Sequence, residues 1–226
     1  MASFSQLHDN EGSSTEQEPK LNLLARCGLS LSGSPWRGLF LFPLILLGSQ
    51  WLVVAFVVSP VADTMLQMLP VPIAKAPHLV AFGLVGVTVF TGVLTILVLY
   101  WVAPAGYDNH TPRKMKSPSE MADQYPTLFR LQSAHNNSYE CLALLAPCLW
   151  IADSLDLEQV IFAKLSVLLL VMRILYILMY VLNEDILRTT CFVLGFVAIT
   201  EIGICAIFPS TLSKYEARSW LEVRPF

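Results

Sequence analysis

Charge is scarce in this chain. Aspartate, glutamate, lysine and arginine make up 14% of its 226 residues, where a soluble domain carries about a quarter. The length alone would suit one or two soluble domains, but so little charge argues against them. With a net charge of −3 there is no basic patch for nucleic acid. Cysteines are few and scattered (Cys27, Cys141, Cys148, Cys191, Cys205). All but Cys27 fall in apolar runs, where a thiol behaves as a small apolar residue. Their spacings match no metal signature, and His8, His78, His110 and His135 are dispersed; no metal site is expected. There is no glycine-rich phosphate loop, no Gly-x-Ser-x-Gly elbow and no alternating strand pattern of the kind a β-barrel needs.

What the chain has instead is apolar length: 55% of its residues are hydrophobic. Five stretches, at 39–60, 78–103, 128–152, 158–182 and 186–208, could each span a hydrocarbon core about 30 Å thick. The breaks between the last three (Asp153–Asp156 and Asn183–Asp185) are so short that these helices must be antiparallel neighbours in a bundle. The fold expected is an all-α membrane protein, with a four-helix transmembrane bundle at 78–208 and one extra N-terminal transmembrane helix at 39–60. Residues 1–38 begin with an acidic, serine-rich run and read as a disordered tail. The 39–60 helix starts too late for an ordinary signal peptide and ends at Ser59-Pro60 without a small-x-small cleavage site, so a retained helix is expected. Residues 61–77, with Pro70, Pro72 and Pro77, read as an interfacial connector. Residues 209–226 are a C-terminal tail. On this division, deleting residues 1–76 should leave a folded core.

The loop 104–127 carries Arg113, Lys114 and Lys116, and positive loops stay cytoplasmic. Alternation puts Lys20, Arg26, Arg37, Arg130 and Arg188 on the same face. The far side receives Lys75, Lys164, Lys214, Arg218 and Arg224. The sequon Asn109-His110-Thr111 should then remain unmodified, since glycosylation needs lumenal exposure.

Against this apolar background, residues 130–140 read Arg-Leu-Gln-Ser-Ala-His-Asn-Asn-Ser-Tyr-Glu. Such a run is costly in a bilayer unless it lines a protein interior or a watery site. At about 100° per residue, Arg130, Ser133, Asn137 and Glu140 fall on one helix stripe, offering a guanidinium, a hydroxyl, an amide and a carboxylate. The next helix ends with Arg173, Tyr176 and Tyr180 at i, i+3 and i+7, followed by Arg188 after a short turn. Because the two helices are antiparallel, the stripes lie at the same depth. Together they suit a small polar ligand bearing both an ammonium and carboxylates. A purely structural reading is also open: Arg130 snorkelling to the headgroups, the tyrosines as an interfacial belt, and Glu140 paired with Arg173. His135 points away from the stripe and should pack at a helix contact. Glu201, late in the last span, either partners a neighbouring helix or lies near the far-side surface, and the second is the expectation.

The run Arg130-x-x-x-Ala134-His135-x-Asn137-x-x-Glu140, with Pro147 after it, resembles the hallmark of the membrane-associated proteins in eicosanoid and glutathione metabolism, the MAPEG family. Arg173-x-x-Tyr176-x-x-x-Tyr180, with Arg188 beyond, is similar to that family's second motif. The resemblance covers about residues 78–208. It implies a homotrimer of four-helix bundles, with glutathione bound between subunits near the cytosolic face and a hydrophobic second substrate arriving from the lipid. By position, Arg130, Asn137, Glu140, Arg173, Tyr176 and Tyr180 would hold the tripeptide. Glu140 would meet its ammonium group and Arg173 a carboxylate. Arg188 would be the catalytic residue, stabilising the thiolate, since a fixed cation lowers a thiol's pKa.

The chain departs from the pattern at Ser133, where glutathione-using members commonly have arginine, at Cys141, where the eicosanoid branch has tyrosine, and at Tyr100-Trp101, where that branch has arginines. These differences point toward a microsomal transferase-like, bacterial-like branch. The implied function is a membrane-bound glutathione transferase, or peroxidase, acting on hydrophobic or lipid electrophiles in an endomembrane such as the endoplasmic reticulum. The alternative is a non-catalytic lipid-binding or assembly subunit that docks in a larger complex through the 39–60 helix. A transporter ranks last, as the chain has neither an inverted repeat nor a broken helix pair.

Overall fold

The computed structural model describes residues 35–102 and 123–216. The acidic tail, the basic loop with its sequon, and the last ten residues lie outside the described residues. Residues from Pro43 onward form one compact unit. Every regular element among the described residues is helical. Helix α1 is Pro35–Val57 and α2 is Pro60–Gln67; a 3-10 turn at Ile73–Lys75 leads into α3, Ala76–Val102. Then come α4 (Pro126–Ser154), α5 (Gln159–Leu182) and α6 (Asp185–Ile207). A 3-10 turn at Pro209–Leu212 and the single helical turn α7, Ser213–Glu216, close the described chain.

The turns follow from local chemistry. Pro60 has no amide hydrogen and disfavours a helical residue before it, so α1 stops and α2 restarts bent by 58°. Ser59 serves both ends of the break, donating its hydroxyl to Phe56 O at 2.7 Å and accepting from the Ala62 amide at 3.4 Å. The two bundle turns share one device. Asp156 (φ 51°) and Asn183 (φ 62°) adopt the left-handed conformation that short polar side chains tolerate best after glycine. Beyond each, an amide reaches back to the last helical turn, Leu157 to Ala152 O at 2.9 Å and Glu184 to Met179 O at 3.0 Å. The paired bonds Asp156 to Asp153 O and Asn183 to Tyr180 O complete a Schellman closure in both places. Helices α4, α5 and α6 therefore run up, down and up with almost no loop.

Helix α5 packs against α3, α4 and α6, and α4 likewise touches the other three. These two helices form the shared diagonal of the bundle. The core runs along α5, whose Leu165 and Leu169 are buried in one cluster with Leu84 of α3, Leu145 of α4 and Ile202 of α6. The N-terminal pair belongs to the same core through Val53, Val57 and Leu66. Lys164 of α5 fastens it there: its ammonium donates to Val57 O, freed at the helix break, at 3.0 Å and pairs with Asp63 at 2.6 Å.

Among the described residues three helices are long and apolar enough to cross a membrane: Ile73–Val102, Gln159–Leu182 and Asp185–Ile207. The bent pair Pro43–Val57 and Pro60–Gln67 makes up to four. Two expectations change. The span expected at 39–60 is a helix broken before Pro60 and continued at an angle, so the chain does hold a broken helix pair, and residues 61–67 of the expected connector are helical. The span expected at 128–152 is α4, of 29 residues and so about 43 Å long, but it is too polar to qualify by composition. By length and composition alone the described residues therefore hold three to four candidate spans, because one of the four bundle helices is the polar one.

Candidate functional site

The polar stripes meet at one end of the bundle, on the first turns of α4 and α6 and the last turns of α5. Asn137 on α4 is central. Its side-chain amide donates to the Tyr176 hydroxyl at 2.5 Å and to the Tyr180 hydroxyl at 3.2 Å. The two rings lie edge to face, 5.0 Å between centroids. Because the amide nitrogen uses both hydroxyl oxygens as acceptors, a tyrosine O–H proton remains able to donate elsewhere.

Arg173 lies one turn deeper. Its guanidinium sits 4.4 Å over the Tyr176 ring, and the residue is only 5% exposed. Its Nε and Nη2 are buried and have no hydrogen-bond partner. Those two nitrogens form one edge of the planar fork, the edge that takes a carboxylate in a bidentate grip. A buried cation left in this condition is costly. The pairing of Glu140 with Arg173 considered from sequence is not made. Glu140 is exposed on α4 and lines the same small groove as Arg173, with Cys141, Cys191, Phe192 and Gly195. That groove holds about 40 Å³ within one chain, too little for a tripeptide.

Arg188, on the first turn of α6, is brought back beside α5 by the Asn183 turn. Its guanidinium stacks 4.5 Å over the Tyr180 ring and pairs with Asp185 at 2.9 Å. The structure thus joins Asn137, Tyr176, Tyr180, Arg173 and Arg188 through direct contacts, with Glu140 at the groove. Arg130 is not joined to them: it donates to Thr127 at 3.0 Å, and its buried Nε is unpartnered. Ser133 is spent on the Phe129 carbonyl of its own helix at 2.9 Å. His135 packs against α3 as expected, with Nδ1 2.9 Å from Thr88 O and the ring over Gly92.

Two features were missed or misplaced from sequence. Asp185 was overlooked, although an acid three residues before an arginine on a helix is a readable pair. Glu201 is not a surface group. It is 3% exposed and accepts from Gln50 of α1 at 2.6 Å, from Tyr215 at 2.7 Å and from Lys214. The physical reason is that the chain folds back after Pro209 and sets α7 against the end of α6. Beyond the spans, the Tyr215 hydroxyl is pushed above its ordinary pKa by burial and then by its bond to Glu201. Among the described residues no cluster of histidine, cysteine, aspartate or glutamate could hold a metal.

With this geometry in place, comparison with known families is decisive. The sequence model of the MAPEG family matches residues 84–208, more than half of the chain. The chain belongs to the MAPEG family. Membership points to glutathione-related or eicosanoid metabolism in general, and with the membrane-length helices it fits an integral membrane protein. No curated protein matches the chain, and no solved structure matches it.

Proposed function

We propose that this MAPEG protein is a membrane-bound glutathione transferase acting on hydrophobic or lipid electrophiles, with hydroperoxide reduction as a variant of the same chemistry. The observation that carries the reading is Arg173, a buried guanidinium whose bidentate edge has no partner. A carboxylate of the tripeptide would fill that edge, its ammonium would meet Glu140, and the Asn137-ordered tyrosines would donate to its polar backbone. Arg188, at the same end of the bundle, would stabilise the thiolate, which attacks the electrophile. The second substrate would enter from the lipid along the groove rimmed by Phe192 and Gly195.

The site is half-built in one chain. Asn136, Tyr139 and Glu140 lie exposed on α4, a helix too polar to face lipid cheaply. A second copy covering that face would complete the pocket, which supports a homotrimer with glutathione between subunits. An endomembrane location, the endoplasmic reticulum first, follows from the same reading.

A non-catalytic lipid-binding or assembly protein is the rival reading, and the Asp185 carboxylate that already occupies Arg188 favours it. Calorimetric titration of purified protein with glutathione, paired with ultraviolet detection of bound thiolate, separates the two. Binding with thiolate formation supports the transferase. No binding at millimolar glutathione refutes it.

A further inference from the structure

We propose that Asp185 is a positioning residue for Arg188, one that also sets how strongly that arginine can hold a thiolate. The proposal rests on the glutathione reading above. Asp185 is the first residue of α6 and Arg188 lies one turn on, so their side chains share a face. The carboxylate and the guanidinium are 2.9 Å apart. From α5, Tyr180 offers its ring face at 4.5 Å. The turn adds Glu184, whose backbone carbonyl accepts the Arg188 amide at 3.0 Å. The other arginine of the site, Arg173, stacks on Tyr176 rather than Tyr180.

Arg188 is therefore held from two directions, and the holds differ in kind. Tyr180 fixes where the guanidinium lies and leaves its charge intact. Asp185 fixes its orientation and cancels part of its charge. A thiolate arriving at Arg188 would share the guanidinium with a carboxylate already 2.9 Å from it, and the two anions repel. The acid at position 185 thus keeps Arg188 aimed in the free protein and weakens its pull on sulfur in the complex.

The test uses full-length protein in detergent or vesicles, with glutathione as the probe. Thiolate absorbance of the bound tripeptide is titrated against pH, with affinity measured by calorimetry. Asp185→Asn should lower the pH midpoint of thiolate formation by about one unit while affinity changes less than threefold. Asp185→Glu should restore the wild-type midpoint. In an Arg188→Ala background Asp185→Asn should shift the midpoint by less than half as much, since only the direct repulsion between the two anions remains there; an equal shift in both backgrounds would overturn the role through Arg188. A change that merely loosened the fold would shift affinity and leave the midpoint in place. If wild type and Asp185→Asn bind glutathione and titrate together, the role of Asp185 is overturned and the site reading survives. If wild type binds no glutathione, the site reading itself falls and takes this proposal with it.

Discussion

Asn137 on α4 donates one amide to two hydroxyls on α5, Tyr176 at 2.5 Å and Tyr180 at 3.2 Å. This is the polar seam between the two diagonal helices, and it fixes the ring on which each arginine rests. Asn137→Ala would leave the half-buried hydroxyls to find other partners, at a cost of about 1–3 kcal/mol. Thermal unfolding in detergent should show the loss, and glutathione affinity should fall with it. Unchanged stability with unchanged binding would mean that the seam is incidental.

Gly92 and His135 form the other tight contact of α4, on its α3 side. A Cβ at position 92 would lie 2.6 Å from the imidazole Cε1, closer than atoms can approach. Gly92→Ala should destabilise the protein by about 1–3 kcal/mol through overpacking. His135→Ala, combined with it, should remove most of that penalty. A double-mutant cycle reads the coupling directly, and additivity would show that the helices simply slide apart.

Much of the site was legible before the fold. A guanidinium, an amide and a carboxylate in a bilayer-length helix announce themselves, because their periodicity is local and their cost in lipid is high. The short turn at Asn183 was enough to put Arg188 at the same end of the bundle as Tyr180, though its stacking on that ring emerges only in the fold. What could not be read was contact over long chain separation. Gln50 and Glu201 are 151 residues apart, and nothing near either one announces the other. The Lys164 bond to Val57 O depends on a carbonyl exposed only because Pro60 breaks the helix. Glycine in an apolar run is common, so nothing singled out Gly92 as the one beneath a histidine ring.

The buried end of α6 makes a pH prediction. Tyr215 has its pKa raised, first by burial and then by the Glu201 bond. A group raised in the folded state contributes stability that is fully present below its unfolded value, about 10 for tyrosine. That stability declines as pH rises above this value. The protein should therefore lose stability above about pH 10, with α7 released as Tyr215 ionises. Tyr215→Phe should be less stable at neutral pH and show less of this alkaline decline. Unfolding midpoints across alkaline pH, alongside tyrosinate absorbance, provide the check; identical alkaline slopes in the two proteins would refute it.

The N-terminal helices are tied to the bundle by more than apolar contact. Deleting residues 1–76 removes Val53, Val57 and Leu66 from the core and strips Lys164 of both its partners. A folded remnant is still expected, since α3 to α6 retain their mutual contacts, but weakened by about 2 kcal/mol or more at Lys164 alone. Lys164→Met in the truncated protein should recover part of that loss, because it removes the uncompensated ammonium. In the full-length chain the same change should give no such gain. Size-exclusion profiles and unfolding midpoints of the four proteins decide the matter.

Arg173 offers the sharpest separation of stability from function. Its Nε and Nη2 are buried without partners, so the free protein bears the cost of desolvating a cation and recovers little beyond its stacking on Tyr176. Replacing buried charges with apolar residues of similar volume is often neutral, or stabilising by about 1–4 kcal/mol. Arg173→Met should accordingly leave the unfolding midpoint unchanged or raise it, while abolishing glutathione binding. Arg173→Lys should keep the charge but lose the planar two-nitrogen edge, retaining stability and binding glutathione at least tenfold more weakly. A fold that collapses in Arg173→Met would mean that the guanidinium holds the helices together. In that case its unpaired edge reflects packing rather than a waiting ligand.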